Sequence, residues 1–85
     1  MDRHELARRA NALPTRFEGR LPDAGMRQVA SAIRAGEWDV GLGNLVAGLT
    51  RLNVPITADE RDELAALLHG LNMPTEQLDV LTVQD

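Results

Sequence analysis

The chain has 85 residues, of which 44% are hydrophobic, and a formal net charge of −4. This length indicates one domain, residues 1–85, and the hydrophobic content excludes a disordered tail. The absence of cysteine excludes disulfides and thiolate metal sites, and the lack of both a ~20-residue apolar run and a signal peptide predicts a soluble protein of the cytoplasm.

The first predicted helix spans residues 2–13, with Asp2 as its N-cap. Leucine and alanine dominate the apolar residues, and only Phe17 and Trp38 are aromatic, which favours helices over strands. Pro14 is expected to end this helix or to bend it, because proline cannot donate a backbone hydrogen bond. Phe17 is then expected to lie beneath the connection that follows.

The second predicted helix spans residues 22–35. Pro22 suits its first turn, where the missing N–H costs nothing, and Gly36 suits its C-terminal cap. Its core face repeats at helical spacing and consists of Met26, Val29, Ala30 and Ile33.

The third predicted segment, residues 37–52, contains glycines at positions where a helix would normally avoid them. One apolar stripe at helical spacing comprises Trp38, Leu42, Leu45, Leu49 and Leu52. Gly41 and Gly48 flank this stripe, so they either let a neighbouring helix approach closely or mark residues 37–43 as a loop. The helix is favoured because it places Trp38 on the apolar face.

The fourth predicted helix begins at a capping box, in which Thr57 and Glu60 satisfy each other's backbone N–H groups. Gly70 or Asn72 is expected to end it. Its core face consists of Leu64, Leu67, Leu68 and Leu71.

A short fifth helix is predicted over residues 74–81, with Leu78 and Leu81 buried and with residues 82–85 fraying. Segments of this length and spacing bury their apolar faces in a common core. The sequence therefore predicts an all-α protein, a compact bundle of four to five short helices.

No arrangement of residues is typical of an active site. Ser31 is the only serine and lies mid-helix on a polar face, while His4 and His69 stand near opposite ends of the chain. No spacing typical of a metal site or of a phosphate-binding loop is present. We therefore expect neither enzymatic activity nor a cofactor.

The charges divide unequally along the chain. Residues 1–53 contain eight arginines and six acids, a balance of +2, whereas residues 54–85 contain one arginine and seven acids, a balance of −6. A helix-turn-helix DNA-binding protein normally carries a basic recognition helix, which the acidic second part cannot provide. Arg27 and Arg34 share one face of the second helix but offer few phosphate contacts. We therefore expect no nucleic-acid partner.

The fourth helix and the segment after it carry the acidic residues that we predict to contact a partner. These are Asp59, Asp62, Glu63, Glu76 and Asp79. Glu37 and Asp39, at the start of the third segment, form a second candidate set. The plainer interpretation of all these residues is a solvated helix face. The alternative is a contact surface for a basic partner, such as the nucleic-acid-binding cleft of a nuclease.

Three short sequences in a fixed order resemble a known family. FEGRLP at residues 17–22 precedes a helix, IRAGEW follows at residues 33–38, and VPIT at residues 54–57 begins the capping box of a leucine-rich helix. This order, over about residues 10–80, is similar to the small helical immunity proteins of the MafI type. Those proteins guard bacteria against polymorphic or contact-dependent toxins.

The resemblance implies a protein that binds and neutralises a cognate toxin domain, often a nuclease, in the bacterial cytoplasm. It supplies no transferable contact residues. The alternative function is a helical adaptor or oligomerisation module without a toxin, which the absence of an upstream toxin gene would favour. The oligomeric state stays open between monomer and dimer, and a dimer would require the groove beside Gly41 and Gly48 to be unfilled.

Overall fold

Four α-helices and one short 3-10 helix make up the computed structural model, which describes residues 1–84. The elements in chain order are α1 (Arg3–Arg16), α2 (Asp23–Arg34), α3 (Trp38–Arg51), α4 (Ala58–Gly70) and the 3-10 helix (Glu76–Val80). Their apolar faces meet in one core cluster to which every one of these elements contributes. The prediction of an all-α bundle is confirmed.

Helix α1 begins as predicted, because the Asp2 side chain accepts a hydrogen bond of 2.8 Å from the Glu5 N–H. It does not end at Leu13, however, but continues through Pro14 to Arg16. The backbone N–H of Phe17 donates to the Leu13 carbonyl at 2.9 Å, so the helical pattern resumes after the proline. The fully buried Phe17 ring fixes this last turn against the core.

Residues with positive φ end three of the helices. Gly36 (φ 81°) follows α2, Asn53 (φ 53°) follows α3 and Asn72 (φ 59°) follows α4. At each end, the backbone N–H of this residue and that of the residue after it donate hydrogen bonds to carbonyls of the last helical turn. After α2, for example, the Gly36 N–H donates to the Ile33 carbonyl and the Glu37 N–H to the Ala32 carbonyl. The predicted roles of Gly36 and Asn72 are confirmed, and the left-handed Asn53 is an additional stop that the sequence analysis did not include.

Helices α2 and α3 pack most closely, and two glycines of α3 permit this approach. A Cβ atom on Gly41 would lie 2.6 Å from Ile33 Cγ1, and one on Gly48 would lie 3.0 Å from the Leu21 side chain. Residues 38–51 are helical, so the interpretation of residues 37–43 as a loop is wrong. Ile33 and Leu21 fill the space directly beside the two glycines, whereas a surface groove lined by Gly48, Asn44 and Ala47 stays open.

The predicted apolar stripe of α3 is buried except at its two ends. Trp38 packs against the core while half-buried, and the Arg3 guanidinium lies 5.2 Å from its ring centroid. The prediction that Leu52 belongs to the buried stripe is wrong, since its side chain is 45% exposed. Leu52 is the C-cap of α3, where the chain leaves the helical path.

The segment after α4 differs from the prediction. Residues 74–81 form no α-helix but a 3-10 helix over Glu76–Val80, although Leu78 and Leu81 are buried as expected. Residues 82–84 do not fray, because Ile56 and Val83 form a parallel β-bridge. Its two hydrogen bonds, from the Ile56 N–H to the carbonyl of residue 82 and from the N–H of residue 84 to the Ile56 carbonyl, measure 2.9 and 2.7 Å. Asp85 lies outside the described residues.

Candidate functional site

The side chains that could perform chemistry are scattered over the surface. His4, Ser31 and His69 are exposed and lie on three different helices. Within residues 1–84, no three His, Cys, Asp or Glu side chains come together in a way that could hold a metal ion. The clefts found on the described part of the chain are open surface grooves of about 310 to 410 Å³.

Residues 59–63 contain four carboxylates in one turn and a half of α4, and Glu60 is the one that is buried, at 6% exposure. Its oxygens accept hydrogen bonds of 2.9 and 2.6 Å from the Arg20 guanidinium. Glu60 Oε1 also accepts the Thr57 N–H at 2.8 Å, and the Thr57 hydroxyl accepts the Glu60 N–H at 3.1 Å. The predicted capping box is thus confirmed, with an ion pair added to it.

Burial by itself would raise the pKa of Glu60, since it disfavours the charged carboxylate. The hydrogen bonds from Arg20 and from the Thr57 N–H outweigh this effect, so the pKa of Glu60 lies below its ordinary value. No local sequence pattern indicates this pairing, because Arg20 and Glu60 are forty residues apart. Glu60 is therefore a structural carboxylate that joins α4 to the connection before α2.

Glu63, which we had predicted to contact a partner, is also matched within the chain. Arg9 of α1 forms a two-pronged ion pair with it, in which the Arg9 Nε donates to Glu63 Oε2 at 3.0 Å. The hydrogen bond from Arg9 holds the pKa of Glu63 below its ordinary value. Only 15% of the Glu63 side chain is exposed, so its charge is directed at α1 and not at the solvent.

Asp59 and Asp62 remain on the outward side of α4, where both are exposed. They are three residues apart and therefore neighbours on the same helix surface. Arg61, one residue before Asp62, pairs with Asp79 at 3.3 Å, and this contact links α4 to the 3-10 helix. Residues three apart eclipse in a 3-10 helix, and the exposed Glu76 therefore lies over Asp79.

We name this surface the acidic surface and define it by Asp59, Asp62, Glu76 and Asp79. Its four carboxylates and the Arg61 guanidinium, which pairs with Asp79, sum to a net charge of −3. The structure thus exposes four of the five residues in the first predicted contact set, two of them on α4 and two on the 3-10 helix. The fifth, Glu63, is used to hold α4 against α1.

Glu37 and Asp39, the second candidate set, lie at the start of α3, and both are exposed. Two residues in a helix are separated by about 200° of rotation, so these side chains point to nearly opposite sides of α3. They therefore do not form a single contact patch, and each must be considered with the residues of its own side.

Comparison of the chain with protein-family profiles, with curated proteins and with solved structures gave no match. No helix within residues 1–84 is both long and apolar enough to cross a membrane.

Proposed function

We propose that this chain is an immunity protein that neutralises a cognate bacterial toxin domain by stoichiometric binding, without enzymatic activity of its own. The observation that carries the proposal is the acidic surface on α4 and the 3-10 helix. Its four carboxylates are exposed, while the neighbouring Glu60 and Glu63 are paired inside the molecule. The order of sequence motifs that resembles MafI-type immunity proteins supports the same function.

A nuclease domain is the toxin that best complements this surface. Its substrate-binding cleft must be basic, because it has to hold a polyanion whose phosphates dominate the binding energy. A surface of net charge −3 would be attracted to such a cleft and would compete with the nucleic acid for it. Neutralisation then requires only occupation of the cleft, and no residue of the immunity protein needs to react.

The same charges predict how binding responds to salt. Exposed charges are screened over about 8 Å at physiological ionic strength, so the association rate should fall as salt rises. The dissociation rate should change less, because it depends on the packed centre of the interface. This pattern would distinguish electrostatic attraction to a basic partner from purely apolar association.

The test is capture of the partner from the native cell lysate with the tagged chain, followed by mass spectrometry and a toxicity assay. We expect recovery, near one to one, of the C-terminal domain of a large secreted protein. The purified domain should lose its nuclease activity when an equimolar amount of this chain is added. Recovery of only the chain itself, or of a housekeeping complex, would favour the helical adaptor as the function.

A further inference from the structure

The side of α3 that points away from the core carries a regular row of exposed residues. This row, the outer face of α3, consists of Glu37, Val40, Asn44, Ala47 and Arg51. Val40 is 46% exposed although it is apolar, and it lies between two polar neighbours of the row. The opposite side of the helix is buried in the core through Leu42, Leu45, Val46 and Leu49.

The rest of the chain leaves this face uncovered. Helix α2 packs beside it against Gly41, and Leu21, just before α2, packs against Gly48; an open groove of about 320 Å³ runs along the line where the two helices meet. Asn44, Ala47 and Arg51 form the α3 side of that groove. The groove and the outer face together form a shallow surface on which a further helix could lie.

The charges on the outer face are placed symmetrically about its middle. Glu37 stands seven residues before Asn44, and Arg51 stands seven residues after it. Each charge is therefore about 10 Å from Asn44 along the helix axis, at opposite ends. Neither Glu37 nor Arg51 has a salt bridge within 4.0 Å among the described residues.

We propose that the outer face of α3 binds a second copy of this chain, with the two α3 helices antiparallel about a twofold axis at Asn44. This arrangement places Glu37 of each copy beside Arg51 of the other, so the dimer contains two Glu37–Arg51 ion pairs. Opposed helix dipoles favour the same orientation. A twofold interface needs a surface that complements itself, and this distribution of charge provides one.

The uncharged residues of the row suit the same arrangement. An asparagine amide has both a donor and an acceptor, so two Asn44 side chains can hydrogen-bond to each other across the axis. Ala47 is small and lies opposite Val40 of the second copy, which lets the helices approach and covers the exposed valine.

Net charge favours association through this face over association through the acidic surface. Two chains of net charge −4 repel each other, and most strongly where their acidic surfaces would meet. The outer face of α3 carries one negative and one positive charge, so two copies can approach there without that penalty. The association should depend on concentration, because a single helix pair buries less area than a permanent dimer. It leaves the acidic surface free and does not depend on the proposed toxin.

Sedimentation velocity over a range of concentrations tests the proposal. We expect a reversible monomer–dimer equilibrium whose dissociation constant rises at least tenfold in Glu37→Arg and in Arg51→Glu. The double variant Glu37→Arg/Arg51→Glu should recover dimerisation, since the exchanged charges again lie opposite each other.

Asp39→Arg is the matched control, because it makes the same change in net charge on the other side of α3. It should leave the dimer intact or strengthen it slightly through reduced repulsion. A wild-type chain that stays monomeric up to about millimolar concentration, a typical range for weak association, would overturn the proposal. An equal loss in Asp39→Arg, or a double variant that does not recover, would overturn it as well.

The lack of cysteine permits a second, positional test. Asn44→Cys places one thiol at the proposed axis, and mild oxidation should convert this variant to a disulfide-linked dimer. Ala12→Cys, exposed on α1, should form such a dimer much more slowly. Equal rates for the two variants would contradict the twofold axis at Asn44 even if the chain dimerises.

Discussion

At the scale of single residues, the acidic run of α4 separates into two groups with different tasks. Glu60 and Glu63 point towards the molecule and bind Arg20 and Arg9, whereas Asp59 points outward. The carboxylates of these residues are chemically alike, so the side of the helix on which each lies decides whether it pairs with an arginine of the same chain. Removing an inward acid should therefore affect folding, and removing an outward one should affect binding.

Glu60→Ala tests the inward group. It leaves the Arg20 guanidinium without its partner and removes half of the capping box at Thr57. Because Arg20 is still 31% exposed and water can reach it, we expect a loss of about 2 kcal/mol in the free energy of unfolding, less than the roughly 3–5 kcal/mol for breaking a fully buried pair.

Urea denaturation followed by circular dichroism would measure the loss caused by Glu60→Ala. Asp59→Ala, one residue away on the outward side, is its control and should stay within about 0.5 kcal/mol of the wild type. Similar midpoints for the two variants would contradict the structural role of Glu60.

At the scale of elements, local signals in the sequence were sufficient to place the helices. Periodic leucines, the cap at Asp2, the capping box at Thr57 and the glycine after α2 each act within a few residues, and each was found. The extension of α1 beyond Pro14 was missed, because a proline near the end of a helix removes one hydrogen bond without preventing the next.

The contacts that join distant elements could not be predicted in this way. The Arg9–Glu63 pair spans 54 residues and the Arg20–Glu60 pair spans 40, and no local pattern indicates which acid faces which arginine. The bridge between Ile56 and Val83 likewise depends on where the folded chain returns. The exposure of all four residues of the acidic surface could nevertheless be predicted, because exposure on a helix follows from the position of its leucines.

The close packing of α2 on α3 leads to a prediction about two glycines. Gly41→Ala should destabilise the fold by about 1–3 kcal/mol, since its Cβ would lie 2.6 Å from Ile33 Cγ1 and 3.2 Å from the Val29 carbonyl oxygen. Gly43→Ala should instead stabilise it by up to about 1 kcal/mol, because the only nearby atom is Met73 Cε at 4.0 Å and alanine favours the helix. Thermal unfolding would detect the opposite signs, and a gain in both variants would contradict the close approach.

At the scale of the whole molecule, the two long-range ion pairs hold α4 against the first part of the chain. Arg9 and Glu63 join α1 to α4, and Arg20 and Glu60 join the connection before α2 to the start of α4. These ion pairs lie on the inward side of α4, whereas Asp59 and Asp62 lie on its outward side. Asp59 and Asp62 stay exposed on a helix whose other two acids, Glu60 and Glu63, are neutralised by these ion pairs.

The ion pairs also predict how stability depends on pH. The pKa values of Glu60 and Glu63 lie below the ordinary 4.5, so the folded state binds fewer protons than the unfolded state in acid. Their contribution is fully present above pH 4.5 and is lost as the pH falls through the lowered pKa values.

Urea midpoints measured between pH 7 and pH 3 should therefore fall more steeply below pH 4.5 for the wild type than for Glu60→Gln/Glu63→Gln. That double variant should be less stable at pH 7 and should approach the wild type in acid. Parallel curves for the two proteins would show that the carboxylates do not carry this dependence.

Calorimetric titration of the captured toxin domain tests most directly whether the acidic surface binds it. The wild-type chain should bind one to one, and Asp59→Arg/Asp62→Arg should raise the dissociation constant at least tenfold, or about 1.4 kcal/mol. Glu18→Arg/Asp23→Arg makes the same change in net charge on other elements and should bind nearly as the wild type does. Unchanged affinity in the α4 variant, or an equal loss in the control, would contradict the assignment of this surface.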